Sequence, residues 1–500
     1  MTTSTPDAVV VLGATGFTGR RILAYLARYL PTHITLVAAG RRPAALDEVV
    51  RDAACAGTRH DAQTILRMTV DLSAPQLDAT LPSLLAPYRG GVVVNAVGPY
   101  RNTGYRVVQA TIRAGCHYVD VCGEPEFMER VALELHAPAK AGGVLVCSAC
   151  GFDSIPADVG CLWTARMFQQ MYNESSTWEV THIPDPDSRD HTRPRGSSPS
   201  RSTRLDSVSS LTSITSYLSM KGPIHGHVPT LESAIMGVAS APALRRLRRR
   251  AALEQSSPPP REPAASSTST AFFPCRSRSR RNMLPTWNGT PWRAYVTPFP
   301  GADASVVRRS LQAIGASFDY TATFLIYRTA SAIMYVLLGG LAMRLATYAW
   351  GRRLILAFPS FFTAGTFTRQ GPSEEEMRRT SFSMDFYAEG NVILGPKHGP
   401  HQTSGAKRVT LRTRVRGPEP GYVATPIMVS ECAMVLLGEG QKVRSGLGGG
   451  GVYTPGRVFL DTSLVERLGR AGVVFEVVED ERRGTEGMET TPGEGKRKDR

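Results

Sequence analysis

The chain has 500 residues, 42% of them apolar, which is long enough for two hydrophobic cores and too ordinary in composition for a fibrous or wholly disordered protein. Fifty-eight basic against 43 acidic residues give a formal charge of +15, but the excess gathers in runs such as 244–250 and 276–281. No base-stacking aromatic pattern accompanies those runs, so they read as solvated faces and no nucleic-acid partner is expected.

Eight scattered cysteines with one lone CxxC, Cys147 and Cys150, exclude a disulfide framework and leave no zinc-ligand set, so no metal is expected. The start, "MTTSTPDAVV", lacks the basic residues and apolar core of a signal peptide. The expectation is an intracellular, cytoplasmic protein.

Residues 8–12 are an unbroken apolar run and read as a buried parallel strand. The run feeds "GATGFTG" and then "RRILAYLARY", whose Ile22, Leu23 and Leu26, with Leu30 just beyond, share one helical face. Glycines at such a strand-to-helix junction have a mechanism. Gly13 makes the tight turn, Gly16 lets backbone approach a pyrophosphate, and Gly19 lets the helix pack on the strand. The N–H groups along Thr15, Phe17 and Thr18 and the positive helix end then attract the phosphates.

A second strand over 34–40 ends at Arg41 and Arg42, with no acid before Asp47. Guanidinium groups there suit a ribose 2′-phosphate, which favours NADP(H) over NAD. A strand over 66–72 brings Asp71 to a position that accepts from an adenine amino group. The stretch 90–100 opens at its carboxyl end into Asn95, Gly98, Pro99 and Tyr100, expected beside the nicotinamide half. A helix stopped by Gly115 follows, then short strands in "HYVDVCGE" and "GVLVCSACGFD". The expected pattern is β-α-β-β-α-β, a Rossmann domain over 1–155.

Residues 156–445 are expected to form a second α+β domain, for substrate or dimer contacts. "SYLSMKG", "AYVTPFP" and 407–417 are strand-like, the last alternating at Val409, Leu411, Thr413 and Val415. Residues 425–440 read as an apolar helix with Pro426 in its first turn and a glycine end. The Pro/Ser/Arg-rich stretches near 183–205 and 251–292 are too poor in apolar residues to pack and are expected to be disordered insertions. The stretch 183–206 has the character of a gene-model artefact. A C-terminal segment, 446–480, should pack on the first domain, leaving 481–500 as a disordered charged tail.

Within the second domain, 329–350 holds fifteen uncharged residues between Arg328 and Arg344, interrupted by Gly339 and Gly340. Tyr327, Tyr335, Tyr348 and Trp350 and the basic Arg344, Arg352 and Arg353 flank or border it. The run is short for a bilayer span, and its flanks suit an interface-lying or hairpin element on a membrane or lipid-droplet surface. A core helix or a homodimer contact is the alternative.

The motifs "GATGFTGR", "AGRR", "NAVGPY", "AGCHYVDVCGE" and "GFDSIPADVG", with "MKGPIHGHVPTLESAIMGVA" and "GGVYTPGRVFLDTSLVERLGRAGVVFEVVE" later, resemble the saccharopine dehydrogenase-like oxidoreductases. That family includes trans-acting enoyl reductases. The resemblance implies an α/β fold: a Rossmann-type parallel sheet domain, a second α+β domain, and a C-terminal segment returning to the first. It also implies a reduced nicotinamide cofactor, and it gives enoyl reduction as a reaction class without implying saccharopine chemistry. The sequence departs from the family over 183–206, where a sheet would continue.

No Tyr-x-x-x-Lys pair stands near the nicotinamide side. Candidate catalytic residues by position are Tyr100, His117, Tyr118, Asp120, Glu124, Asp153 and Ser154, on loops or strand ends facing the expected cleft. His117 has the pKa range for general acid work, although a lone histidine beside a strand is also an ordinary structural residue. Asp153 equally suits the cap of a helix near Pro156. Together these point to an NADP(H)-dependent oxidoreductase reducing a C=C or C=O/C=N bond of a hydrophobic or lipid-linked substrate. An amino-acid dehydrogenase of saccharopine type and a nucleotide-binding lipid-surface scaffold without turnover are the rivals.

Overall fold

All five residues of β1 (Ala8–Leu12) are buried in the computed structural model, because helices cover both faces of the sheet around them. The structure describes residues 7–54, 57–173, 208–256, 286–288, 293–393 and 406–478. The stretch 183–206, most of 251–292 and the tail 481–500 lie outside the described residues.

The first sheet contains β1, β2 (Thr35–Gly40), β3 (Leu66–Thr69), β4 (Val92–Asn95), β5 (His117–Asp120) and β6 (Leu145–Cys147), parallel throughout, in the order β6-β5-β4-β1-β2-β3. The order reverses between β1 and β4, which opens a crevice at their carboxyl ends. A helix follows each of the first five strands: α1 (Phe17–Tyr29), α2 (Pro43–Ala53), α3 (Leu77–Leu85), α4 (Tyr100–Ala114) and α5 (Pro125–Ala141). The expected β-α-β-β-α-β pattern therefore lacks three helices. Each is easily passed over: Pro82 and Pro138 stand inside α3 and α5. The first turn of α2 opens with Pro43, and its buried stripe is only Leu46, Val49, Val50 and Ala53.

A second, mixed sheet is built on β7 (Val208–Lys221), a strand that survives intact just after the anomalous stretch. With β8 (Gly226–His227), β9 (Thr286–Asn288), β10 (Ala294–Pro298), β11 (Asp319–Ile326), β12 (Phe367–Thr368), β13 (Ser381–Ile393), β14 (Ala406–Pro418), β15 (Gly451–Tyr453) and β16 (Val474–Val477), the strands number sixteen among the described residues. The second sheet runs β16-β14-β13-β7-β11-β10-β9, and β8 pairs only with β12. Phe168 of α6 (Gly160–Asn173) and Val307 and Leu311 of the helix Asp303–Ala313 pack with Ile214, Leu218 and Phe386 to form the core on one face.

The C-terminal segment returns to the first domain. There β15 adds to β6 in parallel, pairing Gly451 with Leu145. The long helix Thr425–Leu447 packs on α1, β4 and β5, whereas β16 edges the second sheet through β14. This helix continues past Gly440 to a left-handed cap at Gly448, φ 73°. Its burial supplies the stability that its internal glycines withhold. Gly339 and Gly340 are also right-handed helical, so Thr329–Ala346 is one continuous helical run and not a hairpin.

Candidate functional site

The glycine turn is closed by backbone alone. Gly13 has φ 81° and donates to the Ala39 carbonyl at 2.9 Å, and the Gly16 N–H donates to Gly13 O at 2.9 Å. A Cβ on Gly13 would stand 2.6 Å from Val97 Cγ2, and one on Gly19 only 2.0 Å from Gly13 O. Any larger residue at Gly19 would push α1 off the turn. The first turn of α1 holds no acid, and Gly16 offers no capping side chain. Its leading amides are thus left to a ligand, and the arrangement fits a pyrophosphate.

Thr15 lies beside Gly40, and the ring of Phe17 turns away to stack on His227 at 5.2 Å, edge-on to Tyr422 at 4.8 Å. Phe17 therefore contributes backbone to the turn and side chain to the seam between the domains, with Thr18 half-buried next to it. Arg41 and Arg42 follow β2, both exposed, and neither meets a carboxylate at ion-pair distance among the described residues. Asp71 is exposed near Arg41. Its carboxylate accepts from Ser73 N at 2.9 Å and Ser73 Oγ at 2.7 Å, and these bonds hold its pKa below the usual range. The donor set thus fits a 2′-phosphorylated adenosine, with two free guanidinium groups at the strand end.

At the other end of the crevice Asn95 is fully buried and donates to Tyr118 Oη at 3.1 Å. Gly98–Pro99 is a cis peptide, and it leads into α4. Tyr100 donates its hydroxyl to Asn95 O at 2.8 Å and accepts from Val121 N. Glu124 is also tied up. One oxygen accepts from Tyr100 N at 3.0 Å and the other from Arg101 Nε at 2.9 Å, so the carboxylate caps α4 and anchors Arg101. Arg101 in turn donates to Met236 O at 2.6 Å.

His117 opens β5, at the amino end of a parallel strand and away from the carboxyl edge that faces the crevice. Its Nδ1 accepts from Leu145 N at 2.9 Å, and burial, aided by Arg444, pushes its pKa down to about 4. It is a neutral structural imidazole at physiological pH.

The acids gather at the carboxyl edge. Asp120 closes β5 with one oxygen accepting from Ala149 N at 2.8 Å and Cys122 N at 3.0 Å, while its Oδ2 is buried without a partner. Burial raises its pKa to about 7. Asp153 lies against Gly123, where a Cβ would meet its Oδ2 at 2.5 Å, and Ser154 next to it has φ 116°. Buried behind them is Asp303, whose Oδ1 has no partner and whose pKa is raised by burial and by Asp153. Asp158, raised to about 6 by burial, accepts from Gly456 N at 2.7 Å. Sequence reading missed Asp303 because about 150 residues separate it from Asp153. Asp158 stood within the quoted "GFDSIPADVG" and passed unremarked. Cys147 and Cys150 are buried thiols.

One helix joins this site to an apolar surface. A Cβ on Gly98 would lie 4.0 Å from Ser233 Oγ of α7 (Val228–Ala239), which also supplies the Met236 carbonyl to Arg101. The other side of α7, through Leu231 and Ile235, packs on Ala346, Ile355 and Phe362. Outside these, Ile333, Leu337, Trp350, Phe358 and Phe361 are each more than half exposed, and only 11% of Thr329–Ala346 is buried. The basic run 244–250 lies on α8 (Ala241–Ser256), where Arg248 pairs with Glu129 at 2.6 Å and Arg250 with Glu134 at 3.0 Å.

Residues 9–147 match the saccharopine dehydrogenase NADP-binding domain. Over most of its length the chain is similar to a saccharopine dehydrogenase-like oxidoreductase of Arabidopsis thaliana, 31% identical across 95% of this chain and 98% of that one. It is also similar to a lipid droplet localized protein of Caenorhabditis elegans, 26% identical across 94% and 97%. A trans-acting enoyl reductase homologue from Mycobacterium tuberculosis is 28% identical across 95% and 98%. The solved apo saccharopine dehydrogenase (L-Glu forming) of Saccharomyces cerevisiae is 12% identical, with a TM-score of 0.48 over 95% of this chain and 100% of that one.

Proposed function

Because this chain belongs to the saccharopine dehydrogenase-like family of NADP-binding oxidoreductases, we propose that it reduces a C=C or C=O/C=N bond of a hydrophobic, lipid-linked substrate at a lipid surface. The observation that carries the reading is α7, which touches the loop Gly98–Arg101 with one side and supports the exposed apolar helices with the other. A substrate held in lipid would reach the nicotinamide end over a short path. Contiguous exposed apolar surface of this kind marks an interaction site, and Arg328, Arg344, Arg352 and Arg353 suit its border with anionic headgroups. The lipid-droplet relative is consistent with that placement.

In this reading Gly13, Gly16 and Gly19 with the first amides of α1 hold the pyrophosphate, and Arg41 and Arg42 hold the 2′-phosphate. Asp71 receives the adenine, and Asn95, Gly98, Pro99 and Tyr100 border the nicotinamide. Bound NADPH supplies the hydride. The chain supplies the proton: Asp153, half-buried at the seam, is backed by Asp303, burial raises the pKa of both carboxyl groups, and the charge of Asp153 raises that of Asp303 further, which favours a retained proton on the pair. Asp120 fixes the loop that carries Ala149 and Cys122, and with its pKa raised to about 7 by burial its protonated carboxyl is a second donor.

An amino-dicarboxylate substrate would need several free cations. Arg101, next to Tyr100 at the start of α4, is held by Glu124 and Met236 and keeps only Nη2 unpaired. The test is chain-length dependence of NADPH oxidation with vesicle-borne enoyl and keto lipids. Turnover that rises with chain length, and that falls at least tenfold in Asp153→Asn with NADPH affinity unchanged, supports the reading. Turnover of short, water-soluble imino acids alone contradicts it.

A further inference from the structure

A cavity of roughly 1060 Å³ runs along α1, from Arg21 in its second turn to Tyr29 at its end. It lies on the outer flank of α1, between that helix and Thr425–Leu447. Asp7 and Ile34, which precede β1 and β2, line one end of it at the amino end of the first sheet, and Tyr422 and Val423 line it beside Arg21 at the other. Dinucleotides bind on the glycine turn at the carboxyl end, and none of residues 13–19 lines this cavity, so it is distinct from the cofactor site.

Its floor is apolar, formed by Ala24, Ile34, Ile427, Met434 and Leu437, and it extends to Gly438. Five arginines line it: Arg21, Arg28, Arg59, Arg467 and Arg470. Three already have acids. Arg21 pairs with Glu374, Arg470 pairs with Glu466, and Arg467 Nε donates to Glu431 Oε2 at 2.6 Å. Glu431 is further occupied by the Tyr25 hydroxyl at 2.7 Å.

Arg28 and Arg59 meet no carboxylate at ion-pair distance among the described residues. They converge on Tyr29, Arg28 over its ring at 5.6 Å and Arg59 Nη1 on its carbonyl at 3.3 Å. Asp7 is the one other carboxylate of the lining and meets no cation at ion-pair distance among the described residues. An apolar trough ending at two guanidinium groups without carboxylates is complementary to a chain molecule with an anionic head.

We propose that this cavity is a binding site for a fatty carboxylate, with the acyl chain along Ala24, Ile427, Met434 and Leu437 and the head between Arg28 and Arg59. The site stands apart from the reduction proposed above and does not rest on it.

A Cβ on Gly438 meets nothing within 4 Å, so Gly438→Trp fills the trough without disturbing the helix. Calorimetric titration of the full chain with dodecanoate and with dodecanol, both below aggregation, tests the site. The expected result is saturable one-to-one binding of dodecanoate, weakened at least tenfold by Gly438→Trp with thermal midpoint and NADPH affinity unchanged. In Arg28→Gln/Arg59→Gln, dodecanoate should bind no better than dodecanol does to the unaltered chain. Three outcomes overturn the proposal: no saturable binding of dodecanoate, equal binding to Gly438→Trp, or dodecanol binding as tightly as dodecanoate.

Discussion

At Gly19 a single hydrogen decides whether the phosphate turn exists. A methyl group there would stand 2.0 Å from Gly13 O. Gly19→Ala is expected to cost about 1–3 kcal/mol in stability, as overpacking does, and to abolish NADPH binding, read by thermal melts and titration. Arg41→Ala removes one charge-assisted partner of the 2′-phosphate. At about 1.5–3 kcal/mol the loss in NADPH affinity should be roughly ten- to a hundredfold, with NADH affinity unchanged.

Asp120 makes a different prediction. Its folded pKa of about 7 lies above the unfolded carboxylate value, so between roughly pH 4 and pH 7 the unfolded chain loses a proton that the folded chain keeps. Its contribution to stability is full below that window and falls as pH rises through it. Asp120→Asn should flatten this part of the denaturation profile. The tight packing at Gly19 was legible in the sequence because it is local to one turn. The carboxyl pair was not, since Asp153 and Asp303 meet only after the second sheet has folded against the first.

The helices divide in the same way. Strand β1 and helix α1 follow from an apolar run, three glycines and a 3.6-residue stripe. Helices α3 and α5 were hidden by Pro82 and Pro138, whose local cost is offset by burial of Leu77, Leu81 and Leu85 in one and Val131 and Leu135 in the other. Gly339 and Gly340 misled in the opposite direction. Glycine weakens a helix by about 1 kcal/mol but does not end it, and the run continues to Ala346. That continuity makes Thr329–Ala346 and the following helices one exposed apolar face carried by α7. Leu337→Glu/Phe361→Glu should release the protein from anionic phospholipid vesicles in flotation while leaving the melting midpoint within a degree or two, because Leu337 is 64% and Phe361 68% exposed. Unchanged flotation would remove the lipid surface from the account.

At the scale of the whole molecule, the two sheets are interlocked. The first borrows β15 from the C-terminal segment, and the second takes β16, which begins at Val474, well past Tyr453 where β15 ends. Phe17 at the start of α1 stacks against His227 and Tyr422, so the phosphate turn and the second domain share a wall. That arrangement places the nucleotide crevice, the seam carboxyls and α7 in one continuous region. It also explains why the cofactor half was readable from sequence while the substrate half was not: the former comes from the first 155 residues, the latter from segments separated by hundreds. The most direct test is transfer of deuterium from 4-deuterated NADPH to a vesicle-borne long-chain enoyl or keto lipid, followed by mass spectrometry. The account predicts one deuterium in the reduced lipid, lost in Asp153→Asn. Deuterium recovered in a water-soluble amino acid, with none in any lipid, would contradict it.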